Sequence, residues 1–218
     1  MNQTTPIPEN ARLTDPKSDP RDSDPRVAEI LASVRQAFSE KGFDGASMQD
    51  LARAADMSVG NFYRYFSSKT GIVAAIIDSD ICQMEADFDA MMNAASPFAA
   101  MKAAVREQLP KQAAKKKSDL WAEISLAAGR HSEIGAAASQ MESRVRAALH
   151  KVIARETSLP LTEVARRFGA EADFILLLFK ASSCSFDAYS SHQDKLNALV
   201  IGSIDQTLDS ISQTARNS

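Results

Sequence analysis

Residues 47–69, which read SMQDLARAADMSVGNFYRYFSSK, constrain the fold of this 218-residue chain more than any other stretch. Ser47 is a helix-capping residue type, and Asp50 stands three positions later, close to a capping box. Ser58 supplies a second cap, and Asp56 occupies the position of a tight turn before it. The spacing therefore predicts two short helices joined by a turn.

The second of these helices has one apolar side and one polar side. Phe62 and Phe66 lie one helical turn apart and are predicted to point inward. Asn61, Arg64 and Tyr65 are left on the outer side. A short helix with an apolar back and such a polar front is what a reader of the DNA major groove needs.

The composition is that of a globular chain with a core large enough for one or two domains. Hydrophobic residues make up 44% of the chain and charged residues 24%, and the scarcity of glycine, with 8 residues, favours helix. The formal net charge is -3, so the protein as a whole is not a basic nucleic-acid coat. Any DNA-binding surface must therefore be a local patch.

Cysteine usage favours a cytoplasmic protein. Cys82 and Cys184 are far apart and show no metal-ligand spacing, which suggests reduced thiols, with a disulfide left open as the alternative. The 3 histidines have no paired carboxylate spacing, so neither a metal nor a cofactor is expected. No apolar run is long enough for a membrane, and the N-terminus lacks the layout of a signal peptide.

The rest of the chain is predicted to be all-α, with about nine helices and no strand or internal repeat. Residues 1–24, rich in Pro, Asp, Ser, Thr and Asn, predict a disordered arm; contact of its basic residues with a minor groove is the alternative. The predicted helices span approximately residues 25–42, 47–55, 58–66, 68–92, 98–117, 120–130, 134–153, 161–189 and 194–211.

Residues 37–72 read AFSEKGFDGASMQDLARAADMSVGNFYRYFSSKTGI, and this run resembles the TetR family of bacterial one-component regulators. The residues that carry the resemblance are Phe38, Gly42, Phe43, Ser47, Met48, Leu51, Ala52, Ala55, Ser58, Val59, Gly60, Phe62, Tyr63, Tyr65, Phe66, Lys69 and Ile72. Two positions depart from the family pattern: Asp56 replaces a frequent glycine, and Thr70 replaces a frequent acidic residue. Asp tolerates the left-handed conformation better than most residues, so the turn is expected to form.

The resemblance implies a homodimer that binds double-stranded DNA at a palindromic operator. It divides the chain after the arm into a helix-turn-helix DNA-binding domain, residues 25–68, and a helical effector-binding and dimerisation domain, residues 69–218. Most members of the family are repressors, and a small-molecule effector usually releases them from DNA. The identity of the effector does not follow from the sequence.

The motif maps a DNA face onto the residues around the turn. Arg64 is expected to fork onto guanine and Asn61 to pair with adenine, while Gly60 lets the backbone come close. The mapped residues are Ser47, Ser58, Val59, Gly60, Asn61, Tyr63, Arg64, Tyr65 and Lys69. Tyrosine hydroxyls, Ser47 and the Lys69 ammonium suit phosphates. Alternatives stay open: the serines serve only as caps, the tyrosines only hold the domain together, and Val59 either touches a thymine methyl or packs inward.

The resemblance also places an effector pocket among the fourth to eighth helices. The candidates are Met84, Phe88, Met91, Trp121, Ser125, Phe174, Leu178 and Cys184. Trp121 is the best single candidate because it offers a large apolar area and one donor. Met and Phe stripes at helical spacing more often belong to the core, which is the alternative for each apolar candidate. His131 falls between two helices, where a helix-end role is favoured.

The eighth and ninth predicted helices are expected to form a dimer seam, a four-helix bundle across a two-fold axis. Residues 174–179, which read FILLLF, are too apolar to face water and must meet the core or a partner. A ligand-responsive repressor is the leading hypothesis. The alternatives are an activator or a regulator without a small ligand, and a helical enzyme or scaffold with a vestigial helix-turn-helix, for which no nucleophile–base pair or phosphate loop is found.

Overall fold

The part of the chain that this computed structural model describes, residues 25–114, 120–183 and 191–217, is built from nine α-helices and no strand. They are α1 (Pro25–Gly45), α2 (Met48–Ala54), α3 (Val59–Tyr65), α4 (Lys69–Met92), α5 (Pro97–Ala114), α6 (Leu120–Ala128), α7 (Ser132–Thr157), α8 (Leu161–Ser183) and α9 (Gln193–Arg216). This confirms the predicted all-α fold. The predicted arm, residues 1–24, and Cys184 lie outside the described residues.

Three serines begin the helices around the predicted turn, as the sequence indicated. Ser47 Oγ accepts from the backbone N–H of Asp50 at 3.1 Å, and the Asp50 carboxylate accepts from the Ser47 N–H at 3.0 Å. This closes the predicted capping box and satisfies two donors that the first turn of α2 would leave free. Ser58 caps α3, and Ser68 Oγ caps α4 by accepting from Gly71 N–H at 3.0 Å.

The turn between α2 and α3 is a Schellman motif. Asp56 has a φ of 53°, in the left-handed region. Its N–H donates to Arg53 O at 3.1 Å, and the N–H of Met57 donates to Ala52 O at 2.9 Å. These two bonds satisfy the last carbonyls of α2. Asp56 therefore takes the role that glycine has more often, as expected from its tolerance of this conformation.

Two hydrophobic cores lie inside the helices. The first joins α1–α4 to α6 and the start of α7, and among its buried residues are Phe38, Leu51, Phe62, Ile76 and Ile124. The second joins α5, the end of α7, α8 and α9. The first core therefore crosses residue 68, where the DNA-binding domain is predicted to end, and that domain boundary stays a prediction.

The helices in the described ranges all fall short of the combination of length and apolar character that a bilayer crossing demands.

Replacing Asp56 with a β-branched residue should test the left-handed turn. Asp56→Val is expected to lower the free energy of unfolding by about 1–2 kcal/mol, because a Cβ-branched side chain is strained at positive φ. Asp56→Asn keeps the tolerance of that conformation and should be close to the wild type. Urea unfolding measures both, and equal stability of the two variants would contradict the role given to this backbone conformation.

Candidate nucleic-acid interface

The apolar back of α3 is anchored in the first core. Phe62 is fully buried and Phe66 nearly so, with their ring centroids 5.9 Å apart. Ser58 Oγ accepts from the N–H of Asn61 at 3.3 Å and fixes the first turn. The two rings determine which side of α3 turns outward.

The front of α3 faces solvent. Tyr63 is 50% exposed, and Gly60, Asn61 and Arg64 are exposed as well. In the ranges that the structure describes, the side chains of Asn61, Tyr63 and Arg64 have no hydrogen-bond or ion-pair partner. A Cβ added at Gly60 would meet nothing within 4 Å, so the backbone there is open to a close approach. An amide, a guanidinium and a phenol are thus presented together on one short helix.

Two further predicted DNA-facing residues differ in exposure. Val59 is 36% exposed and belongs to neither core, so of its two alternatives the structure has the outward one. Tyr65 is half-buried and packs against the first core. The two tyrosines therefore differ: the Tyr63 ring lies on the surface, whereas the Tyr65 ring contributes to the packing of the first core, and a phosphate contact by either stays a prediction.

Ser47 and Lys69 already have partners within the protein. The hydroxyl of Ser47 is part of the capping box. The ammonium of Lys69 donates to Phe43 O at 2.8 Å and to Asp44 O at 3.2 Å, and it lies 4.9 Å from the centroid of the Phe43 ring. A phosphate contact by Lys69 would have to share or replace these bonds.

A surface groove runs beside the start of α3. It is lined by Gln49, Arg53, Asp56, Met57, Ser58 and Val59. Gln49 and Arg53 were not among the residues predicted from the sequence, although both are polar and stand four positions apart on α2, hence on one face. The guanidinium of Arg53 is exposed and lies 3.5 Å from the Asp50 carboxylate. It adds a cation to this groove.

Asp50 is the strongly perturbed acid of this surface. Its carboxylate accepts from the ammonium of Lys41 at 2.6 Å and from both the hydroxyl and the backbone N–H of Ser47. The Lys41 bond is the largest cause, followed by those from Ser47, and together they hold the pKa of Asp50 far below its usual range. The capping box is therefore charged at any physiological pH.

The predicted effector residues that the structure describes are distributed over α4, α6 and α8. Met84 and Trp121 pack against the first core, whereas Phe88, Met91 and Leu178 pack against the second. Ser125 and Phe174 are exposed. A pocket formed by these residues would have to be lined from both cores, and it stays a prediction.

A family model described as bacterial regulatory proteins, tetR family, matches residues 30–76. That range holds most of α1, all of α2 and α3, and the start of α4. It thus includes every residue of the exposed face described above.

Two curated regulators each match a stretch of about 60 residues of the chain. The uncharacterized HTH-type transcriptional regulator YvdT of Bacillus subtilis is 37% identical over 60 residues, which are 28% of this chain and 31% of that protein. The HTH-type transcriptional regulator UidR of Escherichia coli is 37% identical over 59 residues, 27% of this chain and 30% of that protein. The chain thus spans about a third of the length of these relatives.

A solved structure extends the likeness to most of the fold. The fatty acid degradation regulator FadR from Bacillus halodurans superposes with a TM-score of 0.59 and 17% sequence identity, covering 85% of this chain and 95% of that one. At this identity the likeness concerns the fold alone. The second half of the chain therefore has the architecture of such a regulator.

The pH dependence of stability should reveal the capping box. The depressed pKa of Asp50 means that its contribution is present above the unfolded-state pKa of about 3.9 and is lost as the pH falls through the folded-state pKa. At pH 7, Asp50→Asn should therefore melt at a lower temperature than the wild type. The difference should shrink progressively below about pH 4, and a difference in melting temperature that is independent of pH would contradict this assignment.

Proposed function

We propose that this chain, a member of the tetR family of bacterial regulatory proteins, is a homodimeric repressor that leaves a palindromic operator when a small-molecule effector binds. The curated relatives are described as transcriptional regulators, and the solved structure with this fold is a fatty acid degradation regulator. Both support a regulator over an enzyme or a scaffold.

The exposed face of α3 is the single observation that carries the proposal. Asn61 and Arg64 offer the two side-chain types that pair in a bidentate way with adenine and guanine in the major groove. Their side chains are exposed and unpartnered among the described residues, while Phe62 behind them is buried. An amide and a guanidinium left without partners in the free protein suit an external polar surface such as base edges.

The dimer is supported by apolar side chains left exposed on α8 and α9. Leu177 is 60% exposed and Leu199 is 67% exposed, and Phe174 lies one turn before Leu177 on the same side of α8. Ion pairs flank the strip on α8: Arg146 with Asp173 at 2.5 Å, and Lys180 with Glu142. An apolar centre with a polar rim is typical of an interface core.

The neighbouring face of α9 suits close approach by another helix. It forms a shallow groove lined by Gly202, Asp205, Gln206, Asp209, Ser210 and Gln213. The small residues Gly202 and Ser210 leave room for a second helix to cross. In a two-fold dimer the same α8–α9 surface of the partner would fill this groove.

A second candidate function is a DNA-binding regulator that responds to no small ligand. The predicted effector residues are divided between two cores, and Ser125 and Phe174 are exposed. This placement favours a regulator controlled in another way, whether as a repressor or as an activator. Calorimetric titration of the DNA-bound protein with metabolite pools separates the two readings. A repressor with an effector should show a heat of binding and release its DNA, whereas a regulator without a small ligand should show neither.

Selection of DNA fragments by the purified protein tests the function directly. Sequencing should return a palindrome whose half-sites are separated by about 34–36 Å, or by multiples of it, the distance of one helical turn of DNA. Asymmetric sites would contradict the proposal that a dimer binds the operator. Recovery of no enriched sequence would contradict specific DNA binding altogether.

Operator affinity is expected to fall steeply with salt. Neutralised phosphates release counterions, so the logarithm of the binding constant should decrease linearly with the logarithm of the salt concentration. Fluorescence anisotropy of a labelled operator at several potassium chloride concentrations gives the slope. A flat response would contradict the proposed nucleic-acid interface.

Truncating Arg64 should affect both affinity and specificity. Arg64→Ala is expected to weaken the preferred site by about 1–3 kcal/mol and to relax the requirement at one base position. Arg155→Ala, which removes an exposed arginine from the last turn of α7, is the matched control and should bind as the wild type does. Affinities measured across a library of single-base variants of the site compare them. A uniform loss over the library would instead make Arg64 a phosphate contact.

A further inference from the structure

The end of α1 contains a bend that leaves a buried backbone donor. Gly42 has a φ of 71°, which interrupts the helical geometry, and the chain then makes one more turn closed by Ala46 N–H to Gly42 O at 3.2 Å. Phe43, the next residue, is buried. A buried backbone N–H requires an acceptor, and at this bend the acceptor comes from the second half of the chain.

That acceptor is Glu123 of α6. Its Oε2 atom accepts from the N–H of Phe43 at 3.1 Å. The positive φ of residue 42 favours glycine, and a Cβ there would lie 3.1 Å from the same oxygen, so it would push the Glu123 carboxylate away by a few tenths of an ångström. The bond joins two segments 80 residues apart in the sequence.

Two residues of the turn between α6 and α7 contact Asp44, the residue that follows Phe43. Arg130 Nη2 donates to the carboxylate of Asp44 at 2.7 Å, and His131 Nε2 lies 4.0 Å from the same carboxylate. The ring of His131 also meets the ring of Phe43 edge-on, with the centroids 5.0 Å apart. Both side chains belong to the turn between helices of the C-terminal half, where the helix-end role predicted for His131 is seen.

Lys69, which directly follows the helix-turn-helix, also contacts this bend. The ammonium of Lys69, at the start of α4, donates to the carbonyls of Phe43 and Asp44 and lies over the Phe43 ring. The backbone of Phe43 thus donates to Glu123 and accepts from Lys69. The bend is clamped between the C-terminal half and the helix that follows the recognition helix.

We infer that residues 42–44, held by Glu123, Arg130 and Lys69, form a clasp that fixes the orientation of the DNA-reading helices against the C-terminal half. In a dimer joined through that half, this orientation sets the distance between the two copies of α3. Glu123, Arg130 and Lys69 are therefore positioning residues, which act on DNA affinity through the geometry of the dimer. The inference rests on the proposed function, since it requires a dimer that reads two half-sites.

The directional character of the contacts explains why they can set a geometry. Hydrogen bonds of 2.7–3.1 Å to a backbone N–H and to a carboxylate weaken steeply when the partners shift or tilt. These bonds add a directional constraint to the one that the packing of the first core already imposes. Opening the clasp should therefore leave the fold intact and broaden the range of orientations of α3.

The spacing between half-sites provides the test. Duplexes carrying the palindrome selected by the wild-type protein are prepared with the original spacing and with one base pair added or removed. Glu123→Ala should bind the original duplex about three- to tenfold more weakly, should discriminate less between the three spacings, and should keep the wild-type salt slope. Glu123→Gln retains an acceptor oxygen for the Phe43 N–H and should rescue both properties.

Glu107→Ala, which removes an exposed glutamate of α5 paired with Lys111, is the matched control and should behave as the wild type. If Glu123→Ala binds all three duplexes as Glu107→Ala does, the clasp is overturned. Circular dichroism and the melting temperature establish that each variant is folded. Should Glu123→Ala not fold, Asp44→Ala makes the same test from the other side of the clasp.

Asp44→Ala separates the clasp from simple electrostatics. Removing an exposed negative charge near the DNA face would by itself tighten binding. The clasp predicts the opposite, weaker binding with reduced discrimination of spacing, because both the charge and the acceptor that Arg130 binds are lost. Unchanged or tighter binding by Asp44→Ala would overturn the inference.

Lys69→Ala distinguishes positioning from phosphate binding. Loss of a phosphate contact reduces the salt slope by about 1, whereas loss of a positioning residue lowers affinity without changing the slope. A reduced slope would overturn the positioning role of Lys69. If the wild-type protein binds no DNA in a salt-dependent manner, the proposed function fails; if it binds the palindrome and the clasp variants match it, only the clasp fails.

Discussion

The burial of Phe62 is the interaction on which the DNA-facing surface depends. The helix that carries it, α3, has 7 residues, and an isolated helix of that length is not stable in water. Its shape comes from the core behind it, where Phe62 and Phe66 meet side chains of α1, α2 and α4. The same core continues into α6 and α7 through Ile124 and Ile134. The recognition helix is therefore stabilised by both halves of the chain.

Because the first core is shared, the two predicted domains are packed together and are not separate units. A boundary at residue 68 follows the sequence motif, yet the buried face of α4 lies in the first core from Ile72 to Ile81. The connection between the halves is thus a packed helix, which transmits orientation far better than a flexible linker would. The ion pairs between Arg144 and Glu85 and between Arg35 and Asp80 add directional contacts on either side of it.

Local chemistry made the turn unit predictable. The capping box of Ser47 and Asp50, the cap at Ser58 and the left-handed Asp56 each involve residues no more than five positions apart. Such contacts are encoded by residue type and spacing, so they survive in almost any surrounding structure. The bend at Gly42 was predictable for the same reason, as the glycine that ends a helix.

Contacts between distant segments could not be read in this way. The partner of the Phe43 N–H is Glu123, 80 positions later, and a lone glutamate in an alanine-rich helix carries no signal for that bond. Lys69 illustrates the complementary limit: the motif assigns its charge to a phosphate, whereas its ammonium is bound to two carbonyl oxygens of the protein. For the effector candidates, helical spacing identifies the apolar stripes but not which of two cores each one joins.

The apolar run of residues 174–179 supports the proposed dimer. Successive residues of a helix point about 100° apart, so six apolar residues in a row cannot all face one core. Ile175 and Leu176 are buried in the second core, and Phe174 and Leu177 are left on the surface. A recognition helix of 7 residues spans about 10 Å, far less than the roughly 34 Å between half-sites. The proposed two-fold dimer would both cover the surface that α8 cannot bury alone and span the distance that α3 cannot span alone.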